Sequence, residues 1–237
     1  VKTEHYFDSL AESPNFTSEV HVLQTGPHKV NTAVIFPQGH VYGSKRLPIM
    51  MRPYGGPHGP QVQNGALIYA IDQWFADQGF VVVIADNRGT GGRGPAWDHA
   101  IYQDFVVSVI EDQVNAIADV AKHFPDDVDS SRVGITGWSF GGYFAAMAAI
   151  RRPDIFQAAV AGAPVVTWEN YDTHYTERYL GLPPFFPEAY RVSNVTTYAS
   201  QLTRPLLLIH GLTDDNVYFQ HTLQLADALY LAGKPYE

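Results

Sequence analysis

Ser139 stands at the centre of Gly137-Trp138-Ser139-Phe140-Gly141. A serine hydroxyl is a poor nucleophile at neutral pH. It reacts only when a base takes its proton and donors face the oxyanion that forms. Gly-x-Ser-x-Gly alone also fits an ordinary glycine turn, so its flanks decide. The apolar stretch Val133 to Thr136 runs into the turn, and a small-residue helix with Ala145, Ala146, Ala148 and Ala149 leaves it. That order predicts a nucleophile elbow, in which a tight strand-to-helix turn lifts the Ser139 hydroxyl above a sheet edge. The Phe140 N–H is then free at a helix start, where it can bind an oxyanion. Gly137 and Gly141 allow the close backbone approach that such a turn demands.

A catalytic serine works with a base, and the base with an orienting carboxylate. Asp214 lies in His210-Gly211-Leu212-Thr213-Asp214-Asp215-Asn216-Val217, just after the apolar run Leu206 to Ile209. That position suits a catalytic carboxylate. It equally suits a loop in which Asp214 or Asp215 caps the next helix. In the elbow plan the histidine follows the acid. After Asp214 the sequence holds only His221, inside the expected last helix, and a solvated helix residue is predicted there. His174 is the other histidine to watch, in a segment near the expected cleft. A second oxyanion donor is sought in Arg52-Pro53-Tyr54-Gly55-Gly56-Pro57-His58-Gly59, which by composition reads as a proline-glycine turn.

These residues need a scaffold, and the pattern supplies one. Extended segments come first: Glu19 to Gln24, Thr32 to Phe36 and Leu47 to Met51. Strand and helix then alternate, with a helix over Leu67 to Gln78, a strand over Phe80 to Ala85, and a long amphipathic helix from Val107 to Phe124. After the elbow come strands at Ala158 to Ala161 and Pro205 to His210, and a helix over Tyr218 to Ala232. The expectation is an α/β fold with a mostly parallel sheet, helices on both faces and an antiparallel start. Thr167 to Thr203, rich in aromatics and proline, predicts a helical insert over the sheet. Gly89-Thr90-Gly91-Gly92-Arg93-Gly94 mimics a dinucleotide-binding fingerprint. It should then open directly into a helix with an acidic residue about 20 positions on. Pro95-Ala96-Trp97 follows instead, so a flexible loop shaping the domain is expected. The chain stops at Gly233-Lys234-Pro235-Tyr236-Glu237, where a further strand should begin, which reads as a cut.

Composition narrows the function classes. With 237 residues, 46% hydrophobic, the chain can bury a core without staples. A net charge of −9 and no basic cluster beyond Arg151-Arg152 argue against nucleic acid. The absence of cysteine removes disulfides, thiol catalysis and cysteine metal sites. No His-Glu-x-x-His pair suggests zinc, and neither metal nor cofactor is expected. No apolar run approaches the about 18 residues of a membrane span. Compartment stays open. Asn15-Phe16-Thr17 and Asn194-Val195-Thr196 match glycosylation sequons, which also arise by chance.

From about Thr32 to Glu237 the chain resembles the catalytic, α/β-hydrolase domain of the prolyl oligopeptidase family of serine peptidases, with the dipeptidyl peptidase IV branch nearest. The resemblance rests on Pro53-Tyr54-Gly55-Gly56-Pro57, Asp86-Asn87-Arg88-Gly89, Gly137 to Tyr143, Asp214-Asp215-Asn216-Val217 and, most branch-specific, Trp168 to Tyr179. It implies Ser139 as nucleophile, Asp214 as triad carboxylate, and Tyr54 with the Phe140 N–H as the oxyanion hole. Val165, Trp168, Tyr171, Tyr175 and Val217 would line a pocket for proline before the scissile bond, and Asn216 would hold a substrate carbonyl. The spacing of Trp168, Tyr171 and Tyr175 also predicts one shared helix face, a pattern that ordinary core packing produces as well. Asn170 stands where this branch often has tyrosine. By the same resemblance, residues 1–30 are a linker and leading strand from a missing amino-terminal propeller, and 31–237 a catalytic domain lacking its last strand, helix and catalytic histidine. The implied activity is release of dipeptides after proline or alanine from peptide substrates, with a possible homodimer. The alternatives are an acylaminoacyl peptidase or oligopeptidase of the family, a catalytically silent fragment or binding module, or a non-peptidase esterase.

Overall fold

In the computed structural model residues 19–237 are described, so the Asn15 sequon and most of the expected leading segment lie outside the described residues. Among these, one sheet holds seven strands: β1 (Val20–Thr25), β2 (Val30–Ile35), β3 (Leu47–Met51), β4 (Val81–Ala85), β5 (Val128–Trp138), β6 (Phe156–Gly162) and β7 (Leu206–Ile209). Their order is β1-β2-β4-β3-β5-β6-β7. The β1–β2 and β2–β4 pairs are antiparallel and all others parallel, as the sequence predicts. Parallel neighbours need crossovers. These are α1 (Ala70–Asp77) between β3 and β4, α3 (Val107–His123) between β4 and β5, and α4 (Phe140–Arg151) between β5 and β6. A one-turn α2 (Pro95–Asp98) precedes α3. The expected insert after β6 is helical, with α5 (Thr173–Leu180), α6 (Pro187–Ser193) and 3-10 turns at Trp168–Asn170 and Val195–Gln201; α7 (Gln220–Leu231) follows β7.

Period-two alternation sets the layers. Val81 and Val83 of β4 join the larger core with α3 and α4, while Val82 and Ile84 point to the α1 side with Ala33, Ile35 and Ala76. On that second face Trp138, Leu207 and Ile209 are exposed among the described residues. A helix that is apolar all round belongs inside. Accordingly α4 is buried from Phe140 to Ile150, between β5, β6 and the Val195–Gln201 turn. Ahead of α3, Asp104 Oδ1 accepts the N–H groups of Val106 and Val107 at 2.7 and 3.1 Å, which satisfies donors that the helix leaves unpaired.

Two details refine the sequence reading. The glycine run after β4 is tied down: Gly89 N–H donates to the Trp97 carbonyl at 3.0 Å, the Thr90 hydroxyl to that of Asn87 at 2.9 Å, and Arg93 stacks 4.0 Å from the Trp97 ring. It leads into α2, which is only four residues long. At the carboxyl end, Glu237 N–H donates to the Leu206 carbonyl (3.0 Å) and the Glu237 carbonyl accepts from Leu208 N–H (2.7 Å), a parallel pairing on the β7 edge.

Candidate active site

Ser139 occupies the turn between β5 and α4 with φ 59° and ψ −119°, a backbone conformation that side-chain-bearing residues rarely adopt. Two hydrogen bonds hold it there. Its N–H donates to the Gly162 carbonyl and its carbonyl accepts from Tyr143 N–H, each at 2.9 Å. The glycine spacing has a steric cause. A Cβ on Gly137 would run into the backbone of Gly141, and one on Gly141 would lie 2.8 Å from the Pro53 carbonyl oxygen. Phe140, the first residue of α4, presents an N–H that has no partner within the helix.

Tyr54 faces this turn on the loop after β3. Burial pushes its phenol above the ordinary value, opposed by the neighbouring Ser139 hydroxyl. The group therefore stays a protonated donor at neutral pH. The loop is held from β4: Asn87 Nδ2 donates to the Gly55 carbonyl at 3.0 Å, and Gln113 Nε2 donates to Asn87 Oδ1 at 2.9 Å. Asp86 accepts the Gln61 and Val62 N–H groups at 2.7 and 3.0 Å. These supports were missed as functional residues. Their signal was Asp86-Asn87 placed directly after an apolar strand.

The aromatic residues predicted to line one pocket do come together. Trp168 packs edge-on against Tyr171 (5.9 Å between centroids) and stacks with Tyr175 (6.3 Å), while Tyr171 and Tyr175 meet edge-on at 5.5 Å. Trp168 also lies 5.6 Å from the Phe140 ring. Val165, Val217 and Trp168 are buried in the core that Tyr54, Tyr171 and Tyr175 pack against. The single helix face expected for the three rings is not what brings them together. Trp168 sits in a 3-10 turn, Tyr171 is extended, and Tyr175 is in α5. Asp172 separates them as the α5 N-cap, its Oδ1 accepting Tyr175 N–H at 3.0 Å. The Tyr175 phenol is pushed up, by burial first and then by the phenols of Tyr54, Tyr179 and Tyr171.

Asp214 is in the loop after β7. Its Oδ1 accepts the N–H groups of Asn216 (3.0 Å) and Val217 (2.9 Å). The capping alternative is thus met within the loop rather than at α7, whose N-cap is Phe219. Oδ2 lies 3.6 Å from His210 Nε2. His210 is a further support: one ring nitrogen meets Val217 O at 2.7 Å and the other Thr222 Oγ1 at 2.6 Å. A carbonyl only accepts, so Nε2 carries a hydrogen. Tyr171 links pocket and loop, its hydroxyl donating to Asn216 Oδ1 at 3.1 Å.

The histidine readings need one correction. His221 is not solvated: it is 1% exposed, and its Nδ1 accepts Val166 N–H at 3.1 Å. Residue 221 falls on the inner stripe of α7 with Leu225 and Leu229, so burial follows helical spacing. His174 is exposed on α5. Among the described residues no hydrogen bond joins a histidine to Ser139. Asn194 is buried and structural, accepting Trp168 N–H at 2.8 Å and donating to Glu169 at 2.8 Å, which does not suit a glycosylation acceptor.

A strained serine between strand and helix, above a mostly parallel sheet with helices on both faces, defines an α/β-hydrolase fold. The chain belongs to the prolyl oligopeptidase family, whose family model matches residues 68–237. It is similar to dipeptidyl peptidase 8 of Mus musculus, 36% identical over 247 residues that cover 100% of this chain and 28% of that protein. Dipeptidyl peptidase 4 of Sus scrofa is 36% identical over 203 residues, covering 84% of this chain and 26% of its own. The crystal structure of Porphyromonas gingivalis dipeptidyl peptidase 4 superposes with a TM-score of 0.83 at 34% identity, covering 94% of this chain and 31% of that one. The chain therefore spans less than a third of the length of these relatives. No helix among the described residues is long and apolar enough to cross a membrane.

Proposed function

We propose that this chain carries the catalytic serine, the oxyanion hole and the proline pocket of a serine exopeptidase that releases dipeptides after proline or alanine. The observation that carries the reading is the cluster of Trp168, Tyr171 and Tyr175, in which two half-buried tyrosine rings rest on the buried Trp168, itself packed on the Phe140 turn beside Ser139. A proline ring is rigid and apolar, and flat aromatic walls bury it at little entropic cost. Ser139 Oγ attacks the carbonyl after that ring. The carbonyl π bond opens, and the oxyanion is met by the Tyr54 hydroxyl and the Phe140 N–H. Collapse of this intermediate expels the amine of the following residue and leaves an acyl-enzyme, which water hydrolyses. Asp214 keeps Oδ2 for an imidazole that takes the serine proton and returns it to the leaving amine, because Oδ1 is already held by two backbone donors.

The test is hydrolysis of a glycyl-prolyl reporter by the whole protein, with Ser139→Ala as control. Turnover that needs Ser139 and a free substrate amine supports the reading. Preference for amino-blocked substrates would favour an acylaminoacyl peptidase, and turnover of short esters without peptides an esterase.

A further inference from the structure

The pocket segment Val165–Asn170 leaves the sheet after β6 and is held by side chains from elsewhere in the chain. Asn194 Oδ1 accepts Trp168 N–H at 2.8 Å, and the Val166 carbonyl accepts Val195 N–H at 2.9 Å. From α7, Gln224 Oε1 accepts from the Thr167 hydroxyl at 2.8 Å and from Asn170 Nδ2 at 3.2 Å. One turn earlier stands His221, buried and unused by the chemistry above. Its Nδ1 accepts Val166 N–H at 3.1 Å. In a neutral ring the hydrogen then sits on Nε2. That buried atom has no hydrogen-bond partner among the described residues, and the nearby Asn170 backbone, which favours the protonated ring, is the lesser influence on it. Burial is the largest influence on the ring and pushes its pKa down, and nearby His210 adds to the effect. The neutral form that the Val166 contact requires is thus the favoured one.

We propose that His221 is a positioning residue for the proline pocket, clamping Val166, just before the Trp168 turn, to α7 and so setting the preference for proline over alanine. This rests on the peptidase reading. Proline gains from contact with the half-buried rings of Tyr171 and Tyr175, which rest on the buried Trp168, whereas alanine reaches little of them. A pocket segment that drifts from α7 therefore costs proline more than alanine. The neighbouring Thr222 anchors His210 behind the acid loop, so one turn of α7 locates both the pocket and the carboxylate.

The experiment compares kcat and KM of the whole protein on glycyl-prolyl and glycyl-alanyl reporters for His221→Leu and His221→Asn. Leucine fills the space and accepts nothing, whereas asparagine places an oxygen close to the position of Nδ1. The proline-to-alanine ratio of kcat/KM should fall about tenfold in His221→Leu, the scale of modest pocket discrimination, and return to within about threefold in His221→Asn. Loss of folded enzyme would lower kcat for both substrates by one factor and leave the ratio intact. That result, or an unchanged variant, overturns the proposal. Nitrogen-15 shifts of the His221 ring near neutral pH give a second readout. A hydrogen on Nδ1 would overturn the clamp while leaving the peptidase reading untouched. If the unsubstituted protein cleaves neither reporter, the peptidase reading falls and takes the specificity role with it, whatever the tautomer.

Discussion

The Tyr171 hydroxyl donates to Asn216 Oδ1 at 3.1 Å, joining the aromatic pocket to the loop that carries Asp214. The bond fixes which way the Asn216 amide points. With Oδ1 engaged, Nδ2 is left to donate, the orientation needed to hold a substrate carbonyl. Tyr171→Phe removes this constraint and little else. KM for a prolyl reporter should rise about threefold to tenfold, the worth of one net hydrogen bond, with kcat nearly unchanged. A fall in kcat with constant KM would instead place Tyr171 in the transition state.

On the proposed reading Asp214 serves two functions, which a pair of substitutions separates. Oδ1 holds the Asn216 and Val217 N–H groups, and Oδ2 is left for an imidazole. Asp214→Asn keeps an oxygen for the backbone donors but loses the charge. The fold should persist while kcat falls about 10⁴-fold, as when a triad carboxylate is neutralised. Asp214→Ala should lose the same activity and in addition about 1 kcal/mol of stability from the uncapped turn. Urea unfolding of both variants checks this. Equal stability of the two would mean that the cap contributes nothing.

Tyr54 should act as a neutral donor across the working range. Its phenol is raised, chiefly by burial, so the folded site disfavours ionisation below about pH 10. Tyr54→Phe should cost about 10²–10³ in kcat, with KM less affected. No alkaline limb below about pH 9 should trace to this group; one that vanished in Tyr54→Phe would contradict the assignment. The same sign governs stability. Tyr143, Tyr171 and Tyr175 are also raised by burial. In each case the unfolded chain ionises first, so stability holds below about pH 10 and is lost above it. Circular dichroism against pH reads this directly.

Much of this was legible in the chain because parallel strands are buried on both faces. Runs such as Val81 to Ala85 are therefore continuous and apolar. The elbow was legible because close approach leaves only glycine at positions 137 and 141. The pocket was misread in its local structure: the spacing of Trp168, Tyr171 and Tyr175 imitates one helix, although Asp172 is a readable N-cap that starts a new one. His221 was misread although its burial was legible, since residues 221, 225 and 229 share one face of α7. What no helical pattern tells is that an N–H at residue 166 waits there for an acceptor. His210 was hidden likewise, its partners Val217 and Thr222 being supplied by the loop and the start of α7.

The elbow stores strain, and that strain can be measured. Ser139 at φ 59° and ψ −119° is held by the Gly162 carbonyl and the Tyr143 N–H, not by its own preference. Such a residue costs about 1–3 kcal/mol. Ser139→Gly removes the Cβ and should recover that amount, less about 0.5–1 kcal/mol for the greater freedom of glycine in the unfolded chain. Ser139→Ala keeps the Cβ and should leave stability close to that of the unsubstituted chain. Both variants lack the proposed nucleophile and should be inactive, so any difference in melting temperature reports the backbone alone. A glycine variant less stable than the alanine variant by the full glycine cost of about 0.5–1 kcal/mol would mean that the turn fits serine without strain, and that the glycines at 137 and 141 answer only the close approach of neighbouring backbone.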